Sequence, residues 1–239
     1  MNFLSQTKKF FEHLNRNVFF LSLAQIFSMT SMNINIITTG LAGFIIAPYG
    51  WLSTFPLSLQ FIITMLFTFP CSILMSKYGR KIVFVGGVLS VSTGGLIMTI
   101  ALFQKNFYLF CFGSVLLGLG HATNLFYRYA ATETVPKNVK PKAMSLVLSA
   151  GLIAALLGPR IYQISADAIL PHLYAGSYLM IAITQLIALP FIMRIKIPLP
   201  PRSKIGGRKV FEIFYEKSMI KGVISVSYTH LRAHETRFY

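Results

Sequence analysis

The chain has 239 residues, 54% of them hydrophobic and only 12% charged, where soluble domains average about a quarter charged. Its formal net charge is +16, which in a soluble protein would point to nucleic acid. Here the bases sit in short stretches between apolar runs of about 20 or more residues, a pattern that excludes both a nucleic-acid partner and a soluble core and predicts an all-α integral membrane protein in a lipid bilayer.

Residues 1–17 form a basic N-terminal segment, "FLSQTKKFFEHLNRN", suited to a short amphipathic helix on the inner membrane face. Lys8, Lys9 and Arg16 precede a run too long for a signal-peptide core, and no small-residue cleavage pattern follows. Six spans are then predicted at 18–38, 52–75, 82–103, 107–130, 143–164 and 173–193, together one membrane domain over 18–193. The first connection, "GLAGFIIAPYG", is uncharged; the second carries Lys77, Arg80 and Lys81; the third is "QKN"; the fourth carries Lys137, Lys140 and Lys142; the fifth carries Asp167. The N-terminal segment, connections two and four, and residues 194–221 hold 17 of the 22 Lys and Arg, against Lys105 alone on the opposite side. By the positive-inside rule, the N-terminus and the 194–218 linker are cytoplasmic, in a cell (inner or plasma) membrane. An even number of spans requires the same.

The linker is Pro-, Gly- and base-rich and should join two units. Residues 219–225 look like the first turns of a seventh span. The pattern then breaks: "VSYTHLRAHETRFY", 226–239, is too polar to continue a helix through hydrocarbon. It is either a true polar tail or foreign read-through; it resembles translated sequencing-adapter sequence, so a non-native tail and an interrupted chain are expected.

The knot between spans two and three, "SILMSKYGRK", matches the loop signature Gly-x-x-x-Asp-Arg-x-Gly-Arg-Lys at Gly79, Arg80, Lys81 and the basic Lys77. Ser72 stands for its first glycine and Ser76 for its aspartate. In the fourth span "FGSVLLGLGHATN" places Gly118 and Gly120 as in a "GRxLxGxG" helix, with Ser114 where the arginine would be, and the fifth span has Gly158-Pro159. These stretches together resemble the major facilitator superfamily, in particular a group of bacterial permeases, over roughly residues 10 to 224. The resemblance implies six spans built as two three-helix repeats of inverted topology, half of a twelve-helix fold. A second six-span half would follow the linker, with solute bound near the midplane and access alternating by rocking. It also implies that the Lys77–Lys81 loop takes part in latching the halves, a contact that the missing acid at Ser76 puts in question. Glu133, Gly118, Gly120, Gly158 and Pro159 take conformational or packing roles.

Polar groups inside the membrane are costly and mark a pathway or a helix contact. In the fourth span His121, Asn124 and Arg128 fall at i, i+3 and i+7, one helical face. They line a cavity, where Arg128 can meet an anionic group, or else His121 is bonded between helices and Arg128 reaches the headgroups. Gln25, Ser28 and Asn35 share a face of the first span with Asn33 off it, and Gln60 and Thr64 lie at i, i+4 in the second; all suit either solute or inter-helix hydrogen bonds. Arg160 can meet Asp167 or solute, or reach outward. Gly151, Ala154, Ala155 and Gly158 make a small-residue face for helix packing. Gly86-Gly87 and Gly94-Gly95 lack the strand and Lys-Ser/Thr context of a phosphate loop.

The expected function is a secondary active or facilitative transporter of a small organic solute, with protons as a candidate coupling ion and Glu133 the one acid near a span. A half-size binding or sensor module acting as a dimer is the alternative. An intramembrane enzyme would need clustered acids and histidines, and His13, His121, His172, His230 and His234 are dispersed. Cys71 and Cys111 lie in apolar runs without metal-ligand spacing, so neither a metal nor another cofactor is expected.

Overall fold

The structure, a computed structural model, describes residues 16–197. The amphipathic segment up to residue 15, the linker from residue 198, the start of a seventh span and the polar tail lie outside the described residues. Seven α-helices are described: α1 Arg16–Ile46, α2 Phe55–Tyr78, α3 Arg80–Phe103, α4 Phe107–Asn124, α5 Tyr127–Glu133, α6 Lys140–Ser165 and α7 Ala175–Met193, with 3₁₀ turns at Gly50–Leu52 and Lys137–Val139. No strand occurs among the described residues. Six of these segments, with α4 and α5 counted as one, are long and apolar enough to cross a membrane.

Two boundaries differ from the sequence reading. The first span does not end at residue 38 but runs to Ile46, so most of "GLAGFIIAPYG" is helix. Only Gly43 in Leu41–Ile46 weakens the helix, and Pro48, which lacks a backbone N–H and restricts the residue before it, ends the run. The fourth span is not continuous over 107–130 but breaks at Leu125–Phe126. There the Thr123 hydroxyl donates back to the Gly120 carbonyl at 2.8 Å, and the Phe126 amide donates to the Thr123 carbonyl at 3.1 Å, a tighter turn that interrupts the α ladder.

The remaining ends follow local chemistry. Asn106, from the "QKN" connection, caps α4 by accepting the Leu109 amide at 3.1 Å. Pro56 and Pro141 sit in the first turns of α2 and α6, where no amide is needed.

The packing has a two-fold pattern. α1 packs on α6 and α7, α4 packs on α2 and α3, and α3 packs on α7. Exchanging the first three spans for the last three in order leaves this set of partners unchanged. Three spans per repeat invert the chain direction, so the repeats are inverted. α3 is the central wall: a Cβ on Gly94 would lie 2.9 Å from the Gly113 carbonyl oxygen of α4, and one on Gly95 would lie 2.9 Å from the Tyr178 carbonyl oxygen of α7. Consecutive glycines thus serve opposite faces. The small-residue face expected on the fifth span is half realised. Ala154 and Gly158 are buried, Gly158 against Asn33, whereas Gly151 has open space around it and Ala155 is exposed.

Candidate functional site

Two polar constellations stand out. The first is the charged turn between α2 and α3. Gly79 has φ 88° and ψ 153°, a conformation essentially reserved for glycine, and it is at once the C-cap of α2 and the N-cap of α3. Gly79→Ala is expected to lower stability by about 1–3 kcal/mol, read as an earlier unfolding midpoint in a denaturing-detergent titration. The turn aims Arg80 at Glu133, the last residue of α5: Nε donates to Oε2 at 2.6 Å and Nη2 donates to Oε1. The same guanidinium approaches the Met75 sulfur at 3.9 Å. Lys77 and Lys81 stay exposed, the Lys77 ammonium 5.2 Å from the Tyr78 ring centroid. Ser76, at the acid's place in the loop signature, donates to its own helix at the Ile73 carbonyl, 2.8 Å. Ser72, Ser76, Arg80, Tyr129 and Glu133 line a recess of about 380 Å³ at this end of the bundle. Arg80 and Glu133 were each legible as candidates; their pairing, 53 residues apart, was not.

The second constellation is a buried hydrogen-bond chain across four spans. Tyr178 of α7 meets Thr39 of α1 at 2.9 Å, and Thr39 donates to Asn35 Oδ1 at 2.9 Å. Asn35 Nδ2 donates to Gln60 Oε1 of α2 at 2.6 Å, and Gln60 Nε2 meets His121 Nδ1 of α4 at 3.0 Å. With these amide orientations every proton has one place. Thr39 spends its proton on Asn35, so Tyr178 donates to Thr39; Gln60 donates to His121, so the imidazole proton is on Nε2. A second link joins Gln185 Nε2 of α7 to Ser31 Oγ of α1 at 2.6 Å. Thr39 stands four residues from Asn35, and Gln185 is an amide inside the sixth predicted span, both signals present in the sequence; Tyr178 gave none.

Four buried polar atoms on α1, α4 and α5 have no hydrogen-bond partner among the described residues: Gln25 Oε1, His121 Nε2, Asn124 Nδ2 and Arg128 Nε. Ser28 of α1 and Thr123 of α4 are hydrogen-bonding neighbours of the Tyr127 hydroxyl of α5, and α1 contacts both α4 and α5, which makes a polar seam between these helices. The break at Leu125–Phe126 puts Arg128 on α5, apart from His121 and Asn124 on α4, so the three do not share one uninterrupted helix face. The Arg128 guanidinium lies 5.0 Å from the Tyr129 ring centroid. Arg160 and Asp167 are both exposed, and no ion pair joins them. Gly118 lets α4 approach the Gln60 backbone, its Cβ position lying 2.7 Å from that carbonyl oxygen; Gly120 does the same against Gly87 at 2.4 Å. Pro159, beside Gly158, sits inside α6. Among the described residues no three His, Cys, Asp or Glu side chains gather as a metal site would need.

Comparison with known proteins agrees with this architecture. The chain is 32% identical over 183 residues to the riboflavin transporter RfnT of Brucella anthropi, an alignment that takes in 77% of this chain and 46% of the relative. The chain thus spans about half the length of that relative. The model of the Major Facilitator Superfamily matches residues 10–233. With six membrane-length helices paired as two inverted repeats and a family match over nearly its whole length, the chain belongs to the Major Facilitator Superfamily.

Proposed function

We propose that this chain forms the first half of a permease that moves a small organic solute across the cell membrane by alternating access. The single observation that carries the reading is the seam between α1 and α4–α5, where Gln25, His121, Asn124 and Arg128 hold buried polar atoms without partners among the described residues. Such atoms cost free energy unless something satisfies them. In a membrane protein a seam of this kind marks a solute or water pathway. Asn35 and Gln60 hold His121 in register and leave its Nε2–H pointed away from the chain they form. Arg160 would stand at the outer end of the same pathway.

The Lys77–Lys81 turn and its Arg80–Glu133 pair act in this reading as the conformational element at the cytoplasmic side, with the N-terminus and the linker also cytoplasmic. A second six-span half completes the pathway. Proton coupling through this half would fall to His121: of the two acids among the described residues, Glu133 is engaged by Arg80 and Asp167 lies in the connection before α7.

The activity of the Brucella relative makes riboflavin the first solute to test. Cells that need exogenous riboflavin and express the complete permease are expected to show saturable riboflavin uptake. Asn124→Leu and Arg128→Gln each raise KM about tenfold, the loss of one hydrogen bond to a polar or charged group. Absence of saturable riboflavin uptake, with the permease present in the membrane, overturns the substrate. An unchanged KM in both variants overturns the seam as the solute site.

A further inference from the structure

A basic recess of about 460 Å³ opens where α1 and α3 begin and α7 ends. It is lined by Arg16, Asn17, Lys81, Met193, Arg194 and Lys196. A two-way clasp builds it: Asn17 Nδ2 donates to the Lys196 carbonyl at 2.8 Å, and the Lys196 amide donates to Asn17 Oδ1 at 2.9 Å. The clasp pins the chain leaving α7 against the first turn of α1, and so brings cations from three helices to one place. The start of α3 adds the positive end of a helix dipole, which the negative end of α7 at the same recess offsets, so the charge of the recess is that of its side chains.

Nothing among the described residues neutralises this charge. Of their two acids, Glu133 pairs with Arg80 and Asp167 precedes α7, at the other end of that helix. The flanking sequence is net basic as well: Lys8 and Lys9 against Glu12 before it, and Arg202, Lys204, Arg208, Lys209 and Lys217 against Glu212 and Glu216 after it. Four converging like charges call for an anion. One apolar side chain lines it: Met193, 57% exposed on the last turn of α7. A charged floor beside an apolar side chain, at the end of membrane-spanning helices, fits an amphiphile better than a free ion.

We infer that this recess seats the phosphate headgroup of an anionic glycerophospholipid from the cytoplasmic leaflet. The inference rests on the family fold and the charge distribution, not on the solute transported, so it stands or falls apart from the riboflavin test.

The experiment is native mass spectrometry of the whole chain in detergent, titrated with phosphatidylglycerol and with phosphatidylcholine of the same acyl chains. Phosphatidylglycerol is expected to bind at least about tenfold more tightly. Arg16→Gln weakens it about fivefold and the pair Arg194→Gln/Lys196→Gln about thirtyfold, from the attraction that each base contributes near a membrane surface. The pair Lys140→Gln/Lys142→Gln, which removes bases outside the recess, leaves binding unchanged. Equal binding of the two lipids overturns the inference, as does an equal loss in the Lys140/Lys142 variant, which would mean diffuse attraction to basic residues. Glycerol phosphate binding as tightly as phosphatidylglycerol would make the ligand a free anion and overturn the lipid assignment.

Discussion

Gly120→Val is expected to leave little folded protein, whereas Gly86→Val, in the neighbouring helix, folds normally. α3 and α4 run antiparallel, and two glycine pairs seven residues apart let them close. A Cβ at Gly120 would lie 2.4 Å from the Gly87 carbonyl oxygen and 2.3 Å from Val91 Cγ2, and Cβ atoms at Gly94 and Gly113 would lie 2.9 and 3.0 Å from each other's carbonyl oxygens. A backbone oxygen cannot swing aside as a side-chain tip can, so valine at 120 must separate the helices. That opens the α3–α4 part of the interface between the two three-helix repeats. We expect a loss of about 3 kcal/mol, the upper end for overpacking, read as a lower unfolding midpoint and a smaller monodisperse fraction in detergent. Gly86 has open space where its Cβ would be. Equal behaviour of the two variants would show that α3 and α4 do not meet through these glycines.

Arg80→Gln and Glu133→Gln are expected to separate stability from transport. The pair is only partly buried, Arg80 19% and Glu133 43% exposed by side chain, so water already screens much of its attraction. Its loss lowers the stability of the bundle by about 1 kcal/mol or less. In the alternating-access reading proposed above, transport by the complete permease falls about tenfold in either variant, as a contact made in one access state and not the other biases their populations by about 1–3 kcal/mol. The exchanged pair Arg80→Glu/Glu133→Arg restores part of the rate. Initial uptake rates in proteoliposomes, alongside unfolding midpoints, check this. Full transport in both single variants would remove the pair from the transport cycle, and parallel losses of stability and transport would make it a structural strut.

The six spans were readable because apolar runs of membrane length announce themselves, and the Gly79 turn was readable because a glycine between two such runs has few other reasons to be there. The continuation of α1 to Ile46 was missed because a charge-free stretch with Gly40 and Gly43 looks like a connection, although two glycines weaken a helix by only about 1 kcal/mol each. The break after Asn124 was hidden for the opposite reason. No glycine or proline marks it; it shows only in the Phe126 amide turning to the Thr123 carbonyl. Asn35, Gln60 and His121 could each be named from the sequence as polar groups in the membrane. That they bond to one another depends on how α1, α2 and α4 are rotated, which spacing within one helix does not determine. Tyr178 stayed hidden because a tyrosine among apolar residues looks like any core aromatic until Thr39 is placed opposite it.

The hydrogen bonds of α1 have a consequence for how the chain is made. α1 is the least apolar of the six spans, and it emerges first. Its partners Tyr178, Gln185 and Lys196 follow Thr39, Ser31 and Asn17 by 139, 154 and 179 residues. At about 5–20 residues per second of synthesis, the nascent first helix waits on the order of 10 s in the bilayer or at the insertion site with these long-range bonds unmade, its Ser31 and Thr39 hydroxyls held only within α1. Ribosome stalling before α7 would therefore yield a chain whose first helix never finds its partners, a natural mark for membrane quality-control proteases.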